Sequence, residues 1–176
     1  YIYSKSLNQP SYVFLQNLYS EIPAELKNDS RLRSRIGDPN ICTFCDDNED
    51  IVPLDECKNN SIVVFDDFIQ ENQDHVRDYY TRGRHKQIDV FYLGQTYSKI
   101  PKQLIRDNIN FLCIFQQDNT NLKHIYNEFV GGDFSFDDFS SICSDCWNQE
   151  HGFLTIDMTS KKSDKKYRNR IKDFIN

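Results

Sequence analysis

The chain has 176 residues, a length that suits one domain with a substantial core. Hydrophobic residues make up 38% and aromatic residues 14%, which predicts a folded chain and not a disordered one. The net charge of −6 argues against a protein that coats nucleic acid by simple charge neutralisation, because such proteins are usually basic. No apolar run approaches the length of a membrane span, and no secretory signal pattern is visible.

The first third of the chain predicts a strand, a helix and a long loop. "YIYS", 1–4, is typical of the end of a strand, and 11–20 has apolar residues at helical spacing. Residues 23–60 contain few apolar residues and several turn formers. This composition predicts a loop with at most a short strand near Ile51 and Val52.

Strand and helix patterns alternate through the rest of the chain. Apolar runs predict strands at 62–65, 88–95, 111–115 and 152–158, and helical spacing predicts helices at 68–82, 100–108, 120–130 and 135–143. The last of these helices is expected to begin with a serine cap at Ser135. The first run is typical of a central parallel strand covered on both faces, and the second is predicted to be a buried strand. The alternation predicts an α/β layered fold with a mostly parallel sheet. The basic tail, 161–172, is interpreted as a solvated segment, with a nucleic-acid patch as the alternative.

Polar residues follow two of the predicted strands. Asp66 and Asp67 end "SIVVFDD", and Gln95 ends "FYLGQ". Ligands bind at the carboxyl ends of parallel strands, so the first acid could hold Mg²⁺ and the second could orient or deprotonate a water. The alternative is that these acids and the glutamine cap the helices that follow them.

Two arginines and six cysteines are the other candidates for chemistry. Arg82 and Arg84 flank a glycine in "TRGRHK", where an arginine could reach the nucleotide of a neighbouring subunit, or form only a solvated basic turn. Four cysteines form two CxxC pairs that could hold zinc, although buried or incidental free thiols are the favoured interpretation. The pairs are Cys42 with Cys45 and Cys143 with Cys146.

Several other residues are interpreted mainly as structural and not as parts of a site. The four histidines share no metal-ligand spacing and are interpreted as surface or packing residues. Trp147 is expected to pack, and the aromatic stretch 134–139 is expected to form a helix that faces the core, with a partner-binding element as the alternative. Asp157 is expected at an edge position of its strand, with a site residue as the alternative.

Two stretches together resemble a known family. "SIVVFDDFI" and "YYTRGRHKQIDVFYLGQTYSKIPKQLIRDNINFLCIF" are similar to the genome-packaging ATPases of poxviruses, other large DNA viruses, virophages and Polinton-type elements. These ATPases belong to the FtsK–HerA superfamily of P-loop motors. The resemblance is strongest over 61–130 and weaker through "GFLTIDMTS" and "KYRNRIKDFI". The opening "YIYSKSLNQP" resembles the second strand of such proteins.

The resemblance implies a fold for the whole chain. It is a three-layer P-loop NTPase fold of the RecA/ASCE-like type, with a mostly parallel sheet whose first strand and P-loop are missing. Residues 1–176 would form a single incomplete ATPase domain. Its Walker B segment would be 61–67 and its sensor strand 88–95.

The resemblance also implies roles for five residues. Asp66 matches the Mg²⁺-associated Walker B acid. Asp67 takes the position of the catalytic acid, which cellular relatives usually fill with Glu. Gln95 matches the polar sensor of the next strand. Arg84 is the first choice for the arginine finger, and Arg82 is the second.

The phosphate-binding loop of this superfamily is not found in the chain. No pair of its six glycines has the spacing GxxxxGK(S/T). In the family this loop precedes the strand that "YIYS" resembles, and the chain opens with Tyr1 and not with Met. We therefore expect an N-terminally truncated fragment with an open hydrophobic seam. We expect it to bind ATP weakly or not at all, whereas the full-length parent should be an ATPase.

The resemblance implies a function with defined ligands and partners. It is the ATPase of a viral DNA-packaging motor that uses ATP and Mg²⁺, forms a homo-oligomeric ring, and contacts double-stranded DNA and capsid or portal-vertex proteins. Its location would be a cytoplasmic viral factory or the virion. The alternatives are a cellular HerA- or FtsK-like DNA translocase, and a non-catalytic scaffold that has lost its nucleotide loop.

Overall fold

The computed structural model describes residues 1–20, 42–69, 71–103, 106–161 and 165–175. The chain divides into two compact units, Tyr1–Gln95 and Thr96–Asn176. The strands are β1 (Ile2–Ser4), β2 (Phe44–Cys45), β3 (Ile62–Asp66), β4 (Asp89–Leu93), β5 (Phe111–Ile114), β6 (Leu154–Asp157), β7 (Tyr167–Asn169) and β8 (Asp173–Phe174). The α-helices are α1 (Pro10–Ser20), α2 (Asp74–Arg82), α3 (Asn119–Ile125) and α4 (Phe136–Trp147). No helix in the described ranges is long and apolar enough to cross a membrane.

The first unit contains a parallel sheet with the strand order β2-β1-β3-β4. The register aligns Ser4 with Asp66 and Asp66 with Leu93, so three neighbouring strands end at the same level. The prediction of an α/β fold with a parallel sheet is confirmed for this unit. Residues 21–41, which include most of the first half of the predicted loop, lie outside the described residues.

One face of this sheet forms the core of the first unit. Tyr3, Val63 and Phe65 on this face are 0% exposed. Phe65 stacks on Tyr3 with ring centroids 5.2 Å apart and meets Tyr79 of α2 edge-on at 5.6 Å. Aromatic contacts of this kind bury large apolar areas, and they anchor α2 against the sheet.

The opposite face of the same sheet is only partly covered. Ile62 is 57% exposed and Phe91 is 52% exposed. The prediction that β3 is covered on both faces is therefore wrong around Ile62, because this part of the second face is open among the described residues. The predicted buried strand β4 likewise exposes Phe91 and Leu93. The helix α1 lies on this second face, where Tyr12 contacts Asp66, but its apolar Phe14 is 65% exposed.

The predicted strand near Ile51 and Val52 does not form. The short strand of this region is β2, which begins at Phe44. The backbone of Val52 bonds to two phenols, since its N–H donates to the Tyr3 hydroxyl at 3.2 Å and its carbonyl accepts from the Tyr79 hydroxyl at 2.6 Å. Buried backbone groups need partners, and here tyrosine side chains replace a neighbouring strand.

The predicted helix at 68–82 begins later than expected, at Asp74. The Gln73 side-chain amide donates to the backbone carbonyls of Phe68 at 2.6 Å and Glu71 at 2.8 Å. These bonds stabilise a non-helical turn ahead of α2, because they satisfy carbonyls that a helix would otherwise use. Within α2, Val76 and Tyr79 are buried as the helical spacing predicted.

The second unit contains an antiparallel sheet with the order β5-β6-β7-β8. The expectation of a mostly parallel sheet is therefore wrong for this half of the chain. Helices α3 and α4 cover the sheet, and the core includes Leu122, Phe139 and Ile156. As predicted, α4 is capped by Ser135, whose hydroxyl accepts from the Asp138 N–H at 3.1 Å.

The helix predicted at 100–108 is not found among its described residues. Ile100 is extended, because the residue before a proline is driven out of the helical region. A short 3₁₀ turn forms only at Arg106–Asn108, and residues 104 and 105 lie outside the described ranges. The predicted helix at 120–130 is confirmed as α3 followed by a π-helical turn at Tyr126–Val130.

The basic tail is partly folded and is not simply a solvated segment. Lys166 pairs with Asp133 at 2.7 Å, and Arg168 pairs with Asp157 at 2.5 Å. Asp157 is buried in the interior strand β6, so its predicted edge position is wrong. The expectation that Trp147 packs is confirmed, and its indole N–H donates to the Ile114 carbonyl at 2.9 Å.

Gly152 lies in the close turn between α4 and β6. A Cβ atom there would lie 2.0 Å from the Cys146 carbonyl oxygen and 2.9 Å from that of Gln149. Both obstacles are backbone, so Gly152→Ala should lower the free energy of unfolding by roughly 3 kcal/mol. Gly132→Ala is the control, because no heavy atom lies within 4 Å of its Cβ position. Urea titration measures both, and equal small losses would contradict the prediction.

Candidate active site

Asp66 is the last residue of β3 and is held by two hydroxyl groups. Its Oδ2 accepts a hydrogen bond from the Tyr12 hydroxyl at 2.6 Å and from the Ser4 hydroxyl at 3.1 Å. Both donors are buried, whereas Asp66 itself is half-buried. Within the described ranges, no hydrogen bond reaches Oδ1. The carboxylate is therefore fixed through one oxygen and keeps the other available.

Asp67 directly follows β3 and turns the chain away from the sheet. Its φ of 54° lies in the left-handed region, which Asp and Asn adopt more readily than most residues. Its N–H donates to the Leu93 carbonyl at 3.0 Å, while its side chain is exposed. Since α2 begins only at Asp74, neither Asp66 nor Asp67 caps that helix.

The negative charge of Asp67 affects the phenol of Tyr92 in β4. Burial, and then the negative charge of Asp67, raises the pKa of Tyr92 to about 12, and a hydrogen bond to Gln73 acts in the opposite direction. The phenol therefore remains protonated in the neutral pH range.

Gln95 lies at the same end of the sheet as the two acids. It stands two residues beyond Leu93, the register partner of Asp66. Its side chain is exposed and makes no hydrogen bond among the described residues. Parallel strands end at a common edge, so the fold brings together the three polar residues that the sequence singled out there.

The chemistry of this edge fits Mg²⁺. Carboxylate oxygens are the ligands that Mg²⁺ prefers, and it is commonly bound through one or two carboxylates together with substrate phosphates and water. The available Oδ1 of Asp66 matches this mode. The described residues do not form a metal site from protein ligands alone, because they contain no group of three or more His, Cys, Asp or Glu side chains that could hold a metal.

The two CxxC pairs differ in burial, since Cys143 and Cys146 are buried and Cys42 and Cys45 are half-buried. Cys143 and Cys146 are buried in the core of the second unit, and burial raises the pKa of Cys143 to about 12. Burial also raises the pKa values of Cys42 and Cys45. A raised pKa disfavours the thiolate, which is the form that binds metal.

Arg82 and Arg84 lie at the opposite end of the sheet from Asp66. The Gly83–Lys86 turn immediately precedes β4, and the Lys86 carbonyl accepts from the Asn60 N–H at 2.9 Å, close to the start of β3. A strand of the length of β4 spans about 16 Å. The structure therefore does not bring either arginine to the acids of the same chain.

The two arginines differ in their partners. Arg82 forms ion pairs with Asp55 at 2.9 Å and with Asp78 at 3.9 Å. Arg84 is exposed, and no hydrogen bond or ion pair of its side chain is found within the described part of the chain. Arg84 is thus the arginine that is available to an outside partner.

Ser4 and Tyr12 are site residues that the sequence analysis missed. Neither belongs to a motif, and the tyrosine comes from α1, far from Asp66 along the chain. One signal was present for Ser4, since it ends a predicted strand and carboxyl ends of parallel strands meet at one edge. No sequence signal pointed to Tyr12.

Comparisons with known proteins establish the fold. A scan against models of protein families finds no match, and a search of curated proteins finds none either. Among solved structures, the chain is similar to the genome packaging NTPase B204 from Sulfolobus turreted icosahedral virus 2. The complex of that protein with sulfate has a TM-score of 0.51 at 11% identity, covering 98% of this chain and 96% of that chain. Its complex with AMPPCP has a TM-score of 0.50 at 8% identity, covering 90% of this chain and 91% of that chain. This chain is therefore a mixed α/β protein with a parallel four-stranded sheet, similar in fold to a packaging NTPase.

Proposed function

We propose that the protein is the ATPase of a viral genome-packaging motor, which hydrolyses ATP to move double-stranded DNA into a capsid. The observation that carries the proposal is the acid pair at the end of β3, beside the strand that leads to Gln95. The fold similarity to a packaging NTPase supports it. In this proposal 1–176 belongs to a single domain of the P-loop NTPase fold, of FtsK–HerA type.

The residues at the sheet edge divide the chemistry between them. Asp66 would hold Mg²⁺, which neutralises the phosphate charge when bound. Asp67 would accept the proton of the attacking water, and its exposed position leaves room for that water. Gln95 would donate a hydrogen bond to the terminal phosphate or orient the water.

The arginine finger would come from a second copy of the chain. Arg84 lies at the far end of the sheet from Asp66, so it serves a site only if another subunit presents it there. A ring of identical subunits provides this arrangement, because each subunit then lends its Arg84 to its neighbour. The pairing of Arg82 with Asp55 favours Arg84 for this role.

The proposal extends to partners and location. Double-stranded DNA and capsid or portal-vertex proteins would be the macromolecular partners, and a viral factory or the virion would be the location. With a net charge of −6, DNA contact would depend on a local basic surface.

The test is ATP hydrolysis by the full-length protein, with and without double-stranded DNA. We expect turnover that double-stranded DNA stimulates. A single-stranded oligonucleotide of equal nucleotide content is the matched control for charge. A folded oligomer that neither binds nor hydrolyses ATP would overturn the proposal and favour a scaffold.

A further inference from the structure

A chain of hydrogen bonds ends on one oxygen of Asp66. The Ser6 N–H donates to the Ser4 hydroxyl oxygen at 3.2 Å, which leaves the Ser4 proton to donate to Asp66 Oδ2. The Tyr12 hydroxyl donates to the same Oδ2 at 2.6 Å. Two donors on one carboxylate oxygen define both the rotamer of Asp66 and which oxygen remains available.

Burial protects these two hydrogen bonds from competition by water. Ser4 is 1% exposed and Tyr12 is 9% exposed, so water competes poorly for either hydroxyl. The two bonds to Asp66 Oδ2 are therefore fixed features of the site and are not shared with solvent.

The contact also accounts for how α1 is attached to the sheet. Tyr12 is the only buried side chain among the described residues of α1, whereas Val13, Phe14 and Leu18 are 40 to 65% exposed. A purely apolar anchor at this position would serve packing equally well. The hydroxyl adds a bond to a specific acid, which packing alone does not require.

We propose that Tyr12 and Ser4 are positioning residues that hold Asp66 Oδ2 and leave Oδ1 as the oxygen that binds the metal of the nucleotide complex. The inference rests on the proposed function, because it assigns Asp66 to Mg²⁺. Hydrogen bonds to a metal ligand orient it and tune its basicity, and losing such a partner typically weakens metal affinity by about 10- to 100-fold.

The test uses Mn²⁺ as a spectroscopic substitute for Mg²⁺. Mn²⁺ binding to the full-length protein with AMPPCP is titrated by electron paramagnetic resonance, which needs no turnover. We expect Tyr12→Phe to weaken Mn²⁺ binding by roughly tenfold, and Ser4→Ala to weaken it less, because the Ser4 bond is longer. Tyr19→Phe, on the same helix, is the matched control and should leave Mn²⁺ binding unchanged.

A thermodynamic cycle separates positioning from general loosening of the fold. In an Asp66→Asn background, Tyr12→Phe should have no further effect on Mn²⁺ affinity, because its action passes through the lost carboxylate. Thermal melting of each variant, without metal, reports any loss of packing. An equal effect of Tyr12→Phe in both backgrounds would mean a structural role and would overturn the inference.

The same series distinguishes failure of the inference from failure of the proposed function. If Asp66→Asn measurably weakens Mn²⁺ binding while Tyr12→Phe and Ser4→Ala retain wild-type affinity, the positioning role is wrong and the proposed function stands. If Asp66→Asn itself leaves Mn²⁺ binding unchanged, the metal role of Asp66 is wrong and the inference fails with it.

Discussion

Asp67→Asn in the full-length protein is expected to lower ATP turnover by about 10²- to 10⁴-fold, the usual contribution of a general base. The amide of asparagine cannot accept the proton of the attacking water. Nucleotide binding should persist, because Asp66 is unchanged. Turnover is measured by phosphate release with saturating double-stranded DNA, and binding by a fluorescent ATP analogue.

The backbone conformation at Asp67 is compatible with asparagine. Asp67 has a φ of 54°, and Asn is among the residues that tolerate this conformation best, so the variant should fold normally. Asp89→Asn is the matched control, since Asp89 is also exposed but lies at the opposite end of β4. Wild-type turnover in Asp67→Asn would remove Asp67 from the chemistry, whereas equal losses in both variants would point to a general charge effect.

Arg84→Ala is expected to lower turnover by about 10³-fold or more, the contribution of an arginine finger, while leaving ATP binding nearly intact. The reason is geometric: the finger stabilises charge that develops in the transition state, and Arg84 has no competing partner among the described residues. Arg82→Ala is the natural comparison, because Arg82 is already paired with Asp55 and Asp78. Its exposed ion pairs contribute little to stability, so we expect a small effect on both turnover and folding.

Mixed oligomers test whether the arginine acts in a neighbouring subunit. Arg84→Ala and Asp67→Asn proteins should each be inactive alone. When mixed, an Arg84→Ala subunit supplies an intact Asp67 and its neighbour supplies an intact Arg84, so partial activity should return. An equal mild loss from Arg82→Ala and Arg84→Ala, with no recovery on mixing, would contradict the assignment.

Short-range patterns in the sequence predicted most of the elements. The apolar runs before Asp66 and through 88–95 and the serine before α4 each act within a few residues, so they can be recognised without the fold. The same locality explains the errors. At Val52, tyrosine side chains from elsewhere in the unit hydrogen-bond to the backbone in place of the expected strand. At Gln73, the side-chain amide bonds to nearby carbonyls in place of the expected helical turn.

The sequence by itself determined that two acids and a glutamine end neighbouring strands, because strand period and turn residues are local properties of the chain. Only the tertiary structure decided which side chains hydrogen-bond to Asp66. The hydroxyls of Ser4 and Tyr12 meet Asp66 across separations of 62 and 54 residues, and no local pattern encodes such a contact. It likewise decided that Arg82 is paired and Arg84 is available, since Asp55 reaches Arg82 through the packing of a loop against α2.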